Sequence, residues 1–325
     1  MAYNKITQFA DVPNFSAARI NALSFDPSFN NDAVLNSPLV VRSAELDALA
    51  TSGAAVTSVP YWNPLDAIEP NVASHDESKM APIHGIGGGV QIARLHLRDE
   101  VLGANRVTST LRQTDVMGQI ASRLERYWID TRRAHVAAIL TGISKAAGAD
   151  HTHDAAGVLT LKAILAGLQK AGDAKGKFKT IVMNSLQEYY LQDAQSGYKP
   201  SAETNTNFST IGGLNIVVSD DMPTTMVALV ADRGFGFGEG NLSPNKALAY
   251  QSEERAANGW GVDELISRRQ YILHPQGFSF VGDVAEAAPT NAEQSNGNDW
   301  QLVSTNKKAL PFKFIKVTET PVVTP

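Results

Sequence analysis

The strongest periodic pattern in the chain predicts one long amphipathic helix between Thr114 and Gly148. Apolar and small residues recur there at steps of three and four positions, which places them on one face of a helix. They are Val116, Ile120, Leu124, Tyr127, Thr131, Ala134, Ala138 and Ile139. Thr114 or Asp115 can cap the start of the helix, and Gly148 can end it. At about 1.5 Å per residue it would be roughly 45–50 Å long, which predicts a spine on which other elements pack.

Two strands are predicted on either side of a long polar segment. Residues Ala54–Asn63 are β-branched and aromatic, and residues Gly88–Glu100 alternate. Along the second strand we expect Val90, Ile92, Leu95 and Leu97 to face apolar surroundings and Gln91 and Arg94 to face water. The connecting segment has charges of both signs, several Pro and Gly, and too few large apolar residues for a core. Connections of this length are usually functional or mobile, so we expect an extended hairpin that leaves the body of the protein.

A smaller α/β region is predicted between Thr160 and Asn241, because helix and strand patterns alternate there. The predicted helices are Thr160–Gly172 and Ser185–Ala194, the second capped by Ser185. The predicted strands are Phe178–Asn184, Leu214–Pro223 and Met226–Gly240. Further along, Val262–Asp283 returns to strand with His274–Gly277 as its turn, and Leu310–Val317 predicts one more short strand.

The first fifty residues predict an extended arm with short helical pieces. Pro, Asn and Asp punctuate it, and four phenylalanines occur without a period. They are Phe9, Phe15, Phe25 and Phe29. Apolar side chains on a segment that cannot build its own core usually pack on something else, and a neighbouring subunit is one candidate.

Composition narrows the class of protein. Hydrophobic residues make up 43% of the 325 residues, enough for a sizeable core. The net charge is −5 and no basic block stands out, which argues against a dedicated nucleic-acid surface. The chain has no Cys, which excludes disulfides and thiolate chemistry. Neither a signal peptide nor a membrane span is indicated, so we expect a soluble, non-exported protein.

A glycine-rich loop precedes the second hairpin strand and raises the question of phosphate binding. Gly85 and Gly87 begin a G-x-G-x-x-G pattern, but position 90 is Val and no Lys follows, as a phosphate-binding loop requires. The loop also leads into a strand, so no helix N-terminus points at a ligand. We therefore expect Gly85, Gly87, Gly88 and Gly89 to form a hinge where the hairpin leaves the body.

Three other sets of residues are candidates for a chemical site. His151 and His153, with Asp150 and Asp154, lie in a polar loop without a third ligand at a recognisable spacing, so a solvated turn is favoured over a metal site. Asp220 and Asp221 precede Pro223 and are typical of a turn rather than an acid–base pair. His274 before Pro275 is typical of a turn. The sequence predicts no catalytic residue, cofactor or metal.

Three arginines on the long helix share one face. Arg123, Arg126 and Arg133 are spaced at i, i+3 and i+10, with Asp130 among them. A solvated polar face is the favoured interpretation. The alternative is a weakly positive surface that tolerates a polyanion such as DNA without reading its sequence.

The order of these elements resembles the major capsid protein of tailed bacteriophages, which has the Hong Kong-97-type fold. Residues 44–66 contain "ELDAL" and then Tyr–Trp–Asn–x–Leu–Asp, similar to the family's entry to its extended loop. Residues 120–143 resemble its spine helix, with Trp128 followed by Arg132 and Arg133. Residues 213–223 and 233–240 resemble paired strands of its A domain. The most specific piece is Arg–Arg–x–x–x–Leu–His–Pro–x–Gly at 268–277, and the likeness covers roughly 35–283.

The resemblance implies an α+β fold with six parts. They are an N-terminal arm (1–50), the extended E-loop hairpin with its flanking strands (51–100), the P domain with the spine helix (101–159), the A domain (160–250), the return strands of the P domain (251–284) and a C-terminal tail (285–325).

It also implies a structural protein that assembles in the host bacterial cytoplasm and resides in the virion. Copies would form pentamers and hexamers of an icosahedral shell around double-stranded DNA, with portal, scaffold and decoration proteins as further partners and no membrane. The candidate contacts between subunits are Phe9, Phe15, Phe25, Trp62, Asp66, Lys79 and Met80. Arg123, Arg126 and Arg133 are the residues that could face the DNA.

Two rival functions stay open at this point. An encapsulin-like nanocompartment would share the fold but enclose protein cargo instead of a genome. An α/β nucleotide-binding enzyme would use the glycine loop or the Asp220–Asp221 pair. Nucleic acid in purified particles would favour the phage shell, and a monomer that binds nucleotide tightly would favour the enzyme.

Overall fold

The structure is a computed structural model, and it describes most of the chain from residue 39 onward. The described residues are 39–63, 69–73, 75, 80, 83–112, 116–194, 198–199, 210–241, 247–253, 260–303 and 306–320. Most of the predicted arm, the caps Thr114 and Asp115, and the candidates Phe9, Phe15, Phe25, Asp66 and Lys79 lie outside these residues.

Helices and strands are interspersed along the whole described chain. The helices are α1 (Ala44–Ser52), α2 (Arg106–Arg112), α3 (Val116–Ala146), α4 (Leu161–Gln169), α5 (Ser185–Asp193) and α6 (Asn291–Gln294), with 3₁₀ helices at Gly172–Lys177 and Gly297–Asp299. The first strands are β1 (Val40–Arg42), β2 (Val56–Trp62), β3 (Gly88–Asn105), β4 (Thr152–Asp154), β5 (Phe178–Met183), β6 (Tyr198–Lys199), β7 (Thr210–Ile211) and β8 (Leu214–Val218). The later strands are β9 (Met226–Ala231), β10 (Phe235–Glu239), β11 (Leu248–Glu253), β12 (Val262–Pro275), β13 (Phe278–Phe280), β14 (Trp300–Leu302) and β15 (Phe312–Lys316).

The predicted hairpin is confirmed, and its second strand continues into the body. β2 and β3 pair antiparallel from Val56↔Arg94 to Trp62↔Gly88. Beyond the hairpin, β3 pairs antiparallel with β12 from Leu95↔Ile272 to Asn105↔Val262. The six-stranded sheet has the order β1-β10-β12-β3-β2, and β11 also pairs with β12. One strand therefore joins the protruding hairpin to the centre of this sheet.

The prediction of which β3 residues face apolar surroundings was wrong in part. Val90 and Leu97 are about half exposed, whereas Ala93 and Leu95 are buried under α1 and pack with Leu46. On the face that α1 covers, Ala93 and Leu95 are buried and Leu97 lies beyond the helix, whereas Val90 is on the opposite face of the strand. Gln91 and Arg94 are partly buried and hydrogen-bonded rather than facing water.

The predicted spine helix is confirmed as α3, which spans 31 residues. Gly148 follows its end with a positive φ of 70°, as expected for a terminating glycine. The buried face differs from the predicted stripe beyond Leu124, because the C-terminal half packs between two layers. The buried residues there are Trp128, His135, Val136, Ala137, Ile139, Leu140 and Ile143. No helix among the described residues is long and apolar enough to cross a membrane.

A second, seven-stranded sheet forms the α/β region, with the order β4-β15-β9-β5-β8-β7-β6. Its two faces bury different clusters. One cluster joins the sheet to α3 through Val230, Phe312 and Phe314, and the other lies under α4 through Ile181, Leu229 and Ile315. Burial of two faces explains why β9 is apolar at every position.

Two local predictions in this region were wrong. The strands at 214–223 and 233–240 do not pair with each other, because β8 joins the seven-stranded sheet while β10 pairs with β12 in the other sheet. The chain crosses between sheets at Gly234, where an added Cβ would collide with Val230. Ser185 is not the cap of α5, since the Asn184 side chain accepts a hydrogen bond from the Leu186 backbone N–H.

The C-terminal segment, which matched no family motif, packs on the spine helix and then enters the second sheet. β15 pairs with β9 and with β4, near the middle of the chain. Before it, Trp300 donates its indole N–H to the Gln294 carbonyl at 2.8 Å, directly over Gly142 of α3. A side chain at Gly142 would collide with both groups, so this glycine permits the close approach of the two segments.

Gly142→Ala should lower the free energy of unfolding by about 1–3 kcal/mol, because the new Cβ forces the segment around Trp300 away from the helix. Urea unfolding of unassembled protein measures this change. The matched control is Gly176→Ala, where an added Cβ meets no atom within 4 Å. Equal stability of the two variants would contradict the proposed close packing.

Candidate assembly interface

The hairpin carries large apolar side chains that the chain itself does not cover. Trp62 is 73% exposed at the end of β2, and Met80 and Ile83 are 94% and 98% exposed in the connecting segment. Val72 and Ile86 are also exposed. Trp62 and Met80 were predicted as contacts from the sequence, but Val72, Ile83 and Ile86 were not. Their only sequence signal is that each is an apolar residue in a polar segment rich in Pro and Gly. Grouped exposed apolar residues mark sites of protein–protein contact.

The four glycines of the predicted hinge fall into two groups. Gly88 and Gly89 lie within β3, opposite Trp62 and Tyr61. An added Cβ at Gly89 would collide with the Tyr61 ring, so this glycine makes room for an aromatic ring on the neighbouring strand. Gly85 and Gly87 precede the strand, and an added Cβ at Gly85 meets no atom within 4 Å. Both lie on the loop side of the paired strands and not where the hairpin leaves the body, so what stays a prediction is a joint at Gly85 and Gly87 within the connecting segment.

The base of the hairpin is fixed to the segment that follows β12. The Ile92 backbone N–H donates to the Ser279 hydroxyl at 3.0 Å, and the Arg94 guanidinium donates to the Gly282 carbonyl at 3.2 Å. Further along β3, Arg98 donates to the Pro289 carbonyl. These contacts connect residues almost two hundred positions apart and anchor the hairpin where it leaves the body.

His274 lies near the end of β12, directly before the predicted turn, and belongs to this base. It is buried in β12, and its Nε2 lies 2.9 Å from the Gln91 Oε1, which also accepts the Gly277 backbone N–H. Since an amide oxygen only accepts, this geometry favours the tautomer of His274 that carries its proton on Nε2. Burial lowers the pKa of His274 to about 4.

A pair of buried histidines lies where the spine helix crosses β3. The rings of His96 and His135 are 4.2 Å apart, edge to face, and the His135 Nδ1 lies 3.0 Å from the Tyr271 hydroxyl. Burial lowers the pKa of His135 to about 3, with a further contribution from the Arg98 charge. Burial, then the charges of His135 and Arg98, lower the pKa of His96 well below its ordinary value. Both imidazoles are neutral at pH 7.

The three arginines chosen as possible DNA contacts have different surroundings. Arg123 is exposed on α3. Arg133 pairs with Asp221 at 2.7 Å and with Asp130 at 3.4 Å, and Arg126 lies 3.5 Å from Asp130. Two of the three charges are therefore compensated within the protein, which supports the favoured interpretation of a structural polar face for Arg126 and Arg133.

The "HTH" segment is not a solvated turn, and that prediction was wrong for His151. Its ring is buried, and its Nδ1 lies 2.6 Å from the Nζ of Lys313, a buried residue of β15. The parallel pairing of β4 with β15 brings these residues together across 162 positions. Asp150 lies outside and pairs with Lys307 at 2.7 Å. Within the described residues, no group of three or more His, Asp or Glu is placed to hold a metal ion.

Asp220 and Asp221 have structural roles in the turn after β8. The Asp220 carboxylate accepts the Ser185 backbone N–H at the start of α5, and Asp221 pairs with Arg133. Each side chain joins this turn to a different helix. Neither carboxylate is positioned by the other, so the arrangement is not that of an acid–base pair.

Comparison with known proteins assigns this arrangement to one class. The family described as major capsid protein 13-like matches residues 106–311, well over half of the chain. The major capsid protein of Bacillus phage SPP1 is 28% identical over 327 residues, which cover 97% of this chain and 98% of that protein.

Solved structures show the same fold at much lower identity. A capsid asymmetric unit of cyanophage Pam1 has a TM-score of 0.60 at 9% identity and covers 98% of this chain and 100% of that chain. The holo-SrpI encapsulin complex of Synechococcus elongatus has a TM-score of 0.52 at 8% identity and covers 96% and 98%. The fold is thus common to phage capsids and encapsulins.

His274→Gln should make the protein less sensitive to acid. A histidine whose pKa is about 4 in the folded state and about 6.5 in the unfolded state is protonated only on unfolding between these pH values. The unfolded state then binds more protons, so the free energy of unfolding falls as the pH falls from 6.5 to 4, by about 1.4 kcal/mol per pH unit. Gln keeps an N–H donor towards Gln91 but does not titrate.

Urea unfolding of unassembled protein at a series of pH values measures this slope. His84→Gln is the matched control, because His84 is exposed in the hairpin. The slope should fall for His274→Gln and stay at the wild-type value for His84→Gln. Identical slopes for all three proteins would show that His274 is not the buried neutral group described above.

Proposed function

The chain belongs to the family of proteins described as major capsid protein 13-like, and on that premise we propose how its parts join copies into a shell. The protein is a major capsid protein of a tailed bacteriophage, and it forms the icosahedral shell of the virion. It belongs to a structural family, not an enzymatic one. Copies of the chain associate with one another in this shell. The proposals below concern which residues make the contacts.

The hairpin between Trp62 and Ile92 lies over a neighbouring subunit. The observation that carries this proposal is the exposure of Trp62, Met80 and Ile83 in a segment that has no core of its own. A hairpin of two strands is at most marginally stable in water unless something packs against it. A second copy supplies the missing surface, and the anchored base described above holds the hairpin in a defined direction.

The N-terminal arm, including Phe9, Phe15 and Phe25, clasps another neighbouring copy. Asp66 and Lys79 act with Trp62 and Met80 as contacts of the hairpin. Each contact can be modest, because every copy makes several of them and the closed shell adds them together.

Gly85 and Gly87 allow one chain to serve in both pentamers and hexamers. The two glycines lie on the loop side of the paired strands, where the connecting segment meets a different neighbouring surface in each environment, and glycine permits backbone conformations that other residues rarely adopt. The fixed hydrogen bonds of Ile92 and Arg94 then limit the change to the segment before β3. Such a joint adjusts the hairpin without disturbing the sheet.

The division into domains is also proposed. The seven-stranded sheet supports an A domain that points to the centre of each capsomer, while the spine helix and the β3–β12 sheet support a P domain at its edge. Compared with the predicted boundaries of 160–250, the A domain that we propose gains β4 and β15, which belong to the seven-stranded sheet, and loses β10, which belongs to the other sheet. The C-terminal residues 306–320 are therefore assigned to the A domain.

The shell encloses double-stranded DNA and meets portal, scaffold and decoration proteins during its assembly in the host bacterial cytoplasm. The rival function, an encapsulin-like compartment with protein cargo, has the same fold and is not distinguished by shape. The family match and the similarity to the SPP1 capsid protein along almost the whole chain favour the viral shell. Nucleic acid in purified particles tests this choice directly.

Trp62→Ser combined with Met80→Ser should impair assembly while leaving the fold intact. Burial of two large apolar side chains contributes about 1.5–3 kcal/mol each, so the protein concentration needed for assembly should rise at least about tenfold. Light scattering measures this concentration, and electron microscopy identifies closed shells or isolated rings.

Leu165→Ser is the matched control, because Leu165 is 53% exposed on α4, away from the hairpin. This variant should assemble like the wild type. Normal assembly of the Trp62/Met80 variant would show that the hairpin does not make the proposed contact. A wild-type chain that stays monomeric at high concentration would contradict the capsid function as a whole.

A further inference from the structure

The lysines of this chain are distributed unevenly. Ten of its fourteen lysines lie in two stretches, residues 145–179 and 306–316, which contain three Asp, no Glu and no Arg. The chain as a whole carries a net charge of −5. No single basic block stands out in the sequence, because the two stretches are more than a hundred residues apart. The fold brings them together.

Two sets of contacts at the second sheet bring the two lysine-rich stretches together. β15 pairs in parallel with β4, from Phe314↔Thr152 to Lys316↔Asp154. In the turn before β15, Lys307 pairs with Asp150 at 2.7 Å, and Lys308 pairs with Asp173 of the 3₁₀ helix at 2.9 Å. We call five exposed or partly exposed residues of this surface the lysine cluster: Lys170, Lys175, Lys177, Lys307 and Lys308. The buried Lys313 contacts the cluster from inside through the Lys307 carbonyl.

The two aspartates do not neutralise the lysine cluster. Both ion pairs are largely exposed, with the side chains of Lys307 and Lys308 at 55% and 60% exposure, and such pairs are weak and exchange readily with other anions. Lys170 donates to the Ala149 carbonyl at 3.1 Å, a neutral partner. Lys175 and Lys177 are exposed on the 3₁₀ helix that also carries Asp173.

The pKa values of two buried residues, Lys313 and His151, reflect the excess positive charge. The Lys313 Nζ donates to the Lys307 carbonyl at 2.8 Å and lies beside the His151 ring. Burial and then the charge of Lys307 lower the pKa of Lys313 to about 8, with Lys170 adding to the effect against Asp150. Burial first, and then mainly Lys313, lower the pKa of His151 to about 4. A bound polyanion would relieve this repulsion.

We propose that the lysine cluster binds the phosphate backbone of double-stranded DNA without reading its sequence. The inference rests on the proposed function as a shell around DNA. Lysine is a flexible point charge, suited to phosphates at variable positions. A protein partner would be expected to meet aromatic and Arg anchors, and the lysine cluster contains neither. Arg126 and Arg133 on the spine helix are poorer candidates, because Asp130 and Asp221 already pair with them.

The test uses the full-length chain as unassembled subunits and a fluorescent 30-base-pair DNA of arbitrary sequence. Fluorescence anisotropy gives the affinity at several salt concentrations. Removing two phosphate contacts with Lys307→Gln and Lys308→Gln should reduce the slope of log affinity against log salt by roughly one unit per lysine. Affinity at moderate salt should fall at least about tenfold. Lys307→Arg with Lys308→Arg keeps both charges and should restore binding.

The matched control removes two exposed cations outside both lysine-rich stretches, Arg123→Gln on α3 and Arg269→Gln on β12, and should keep the wild-type slope. An unchanged slope for the Lys307/Lys308 variant overturns the proposal, as does a loss confined to the control. Tighter binding of poly-glutamate than of DNA to the lysine cluster would also overturn it, in favour of an acidic protein partner. Shell formation by each variant, seen by electron microscopy, separates these results from a failure of the capsid function itself.

Discussion

The pairing of β3 with β12 is the interaction on which the rest of the structure depends. β3 is 18 residues long, and its first part forms the hairpin while its remainder pairs with β12, the central strand of the six-stranded sheet. The spine helix packs on the same strands, with the Trp128 indole N–H donating to Ser267 of β12 at 2.9 Å and the Tyr127 hydroxyl donating to Glu100 of β3. A force on the hairpin therefore reaches the spine through hydrogen-bonded backbone, not through a flexible linker.

This arrangement suits a shell subunit, because the element that touches the neighbour is rigidly connected to the element that shapes the subunit. The exposed Trp62 and Met80 leave the single chain with uncovered apolar surface, and a closed lattice covers it. The buried histidines at the base and at the crossing with the spine are neutral at neutral pH, so this junction contains no buried imidazolium charge. Protonation would place charge in an apolar site, which is costly without a partner.

The spine helix and the second sheet also differ in their surface charge. On the spine helix, Arg126 and Arg133 are compensated by Asp130 and Asp221, so this element has a balanced surface. On the second sheet, lysines outnumber the aspartates near them, and the excess is felt by Lys313 inside the protein. The acidic balance of the whole chain conceals this local surface, since net charge is a sum that carries no information about position.

The sequence by itself determined the elements whose signals are local: the 31-residue helix from its repeat of three and four, the two hairpin strands from their alternation, and the turn at Gly277 before β13. The order of these elements, together with the family motifs, then indicated the fold. Only the tertiary structure decided which strands share a sheet, as with β10, and which β3 residues α1 covers, as with Leu95 and Leu97. The same holds for His151, whose burial depends on Lys313 from the far end of the chain. These features arise from contacts between distant residues, and a local pattern of polar and apolar positions does not encode the partner.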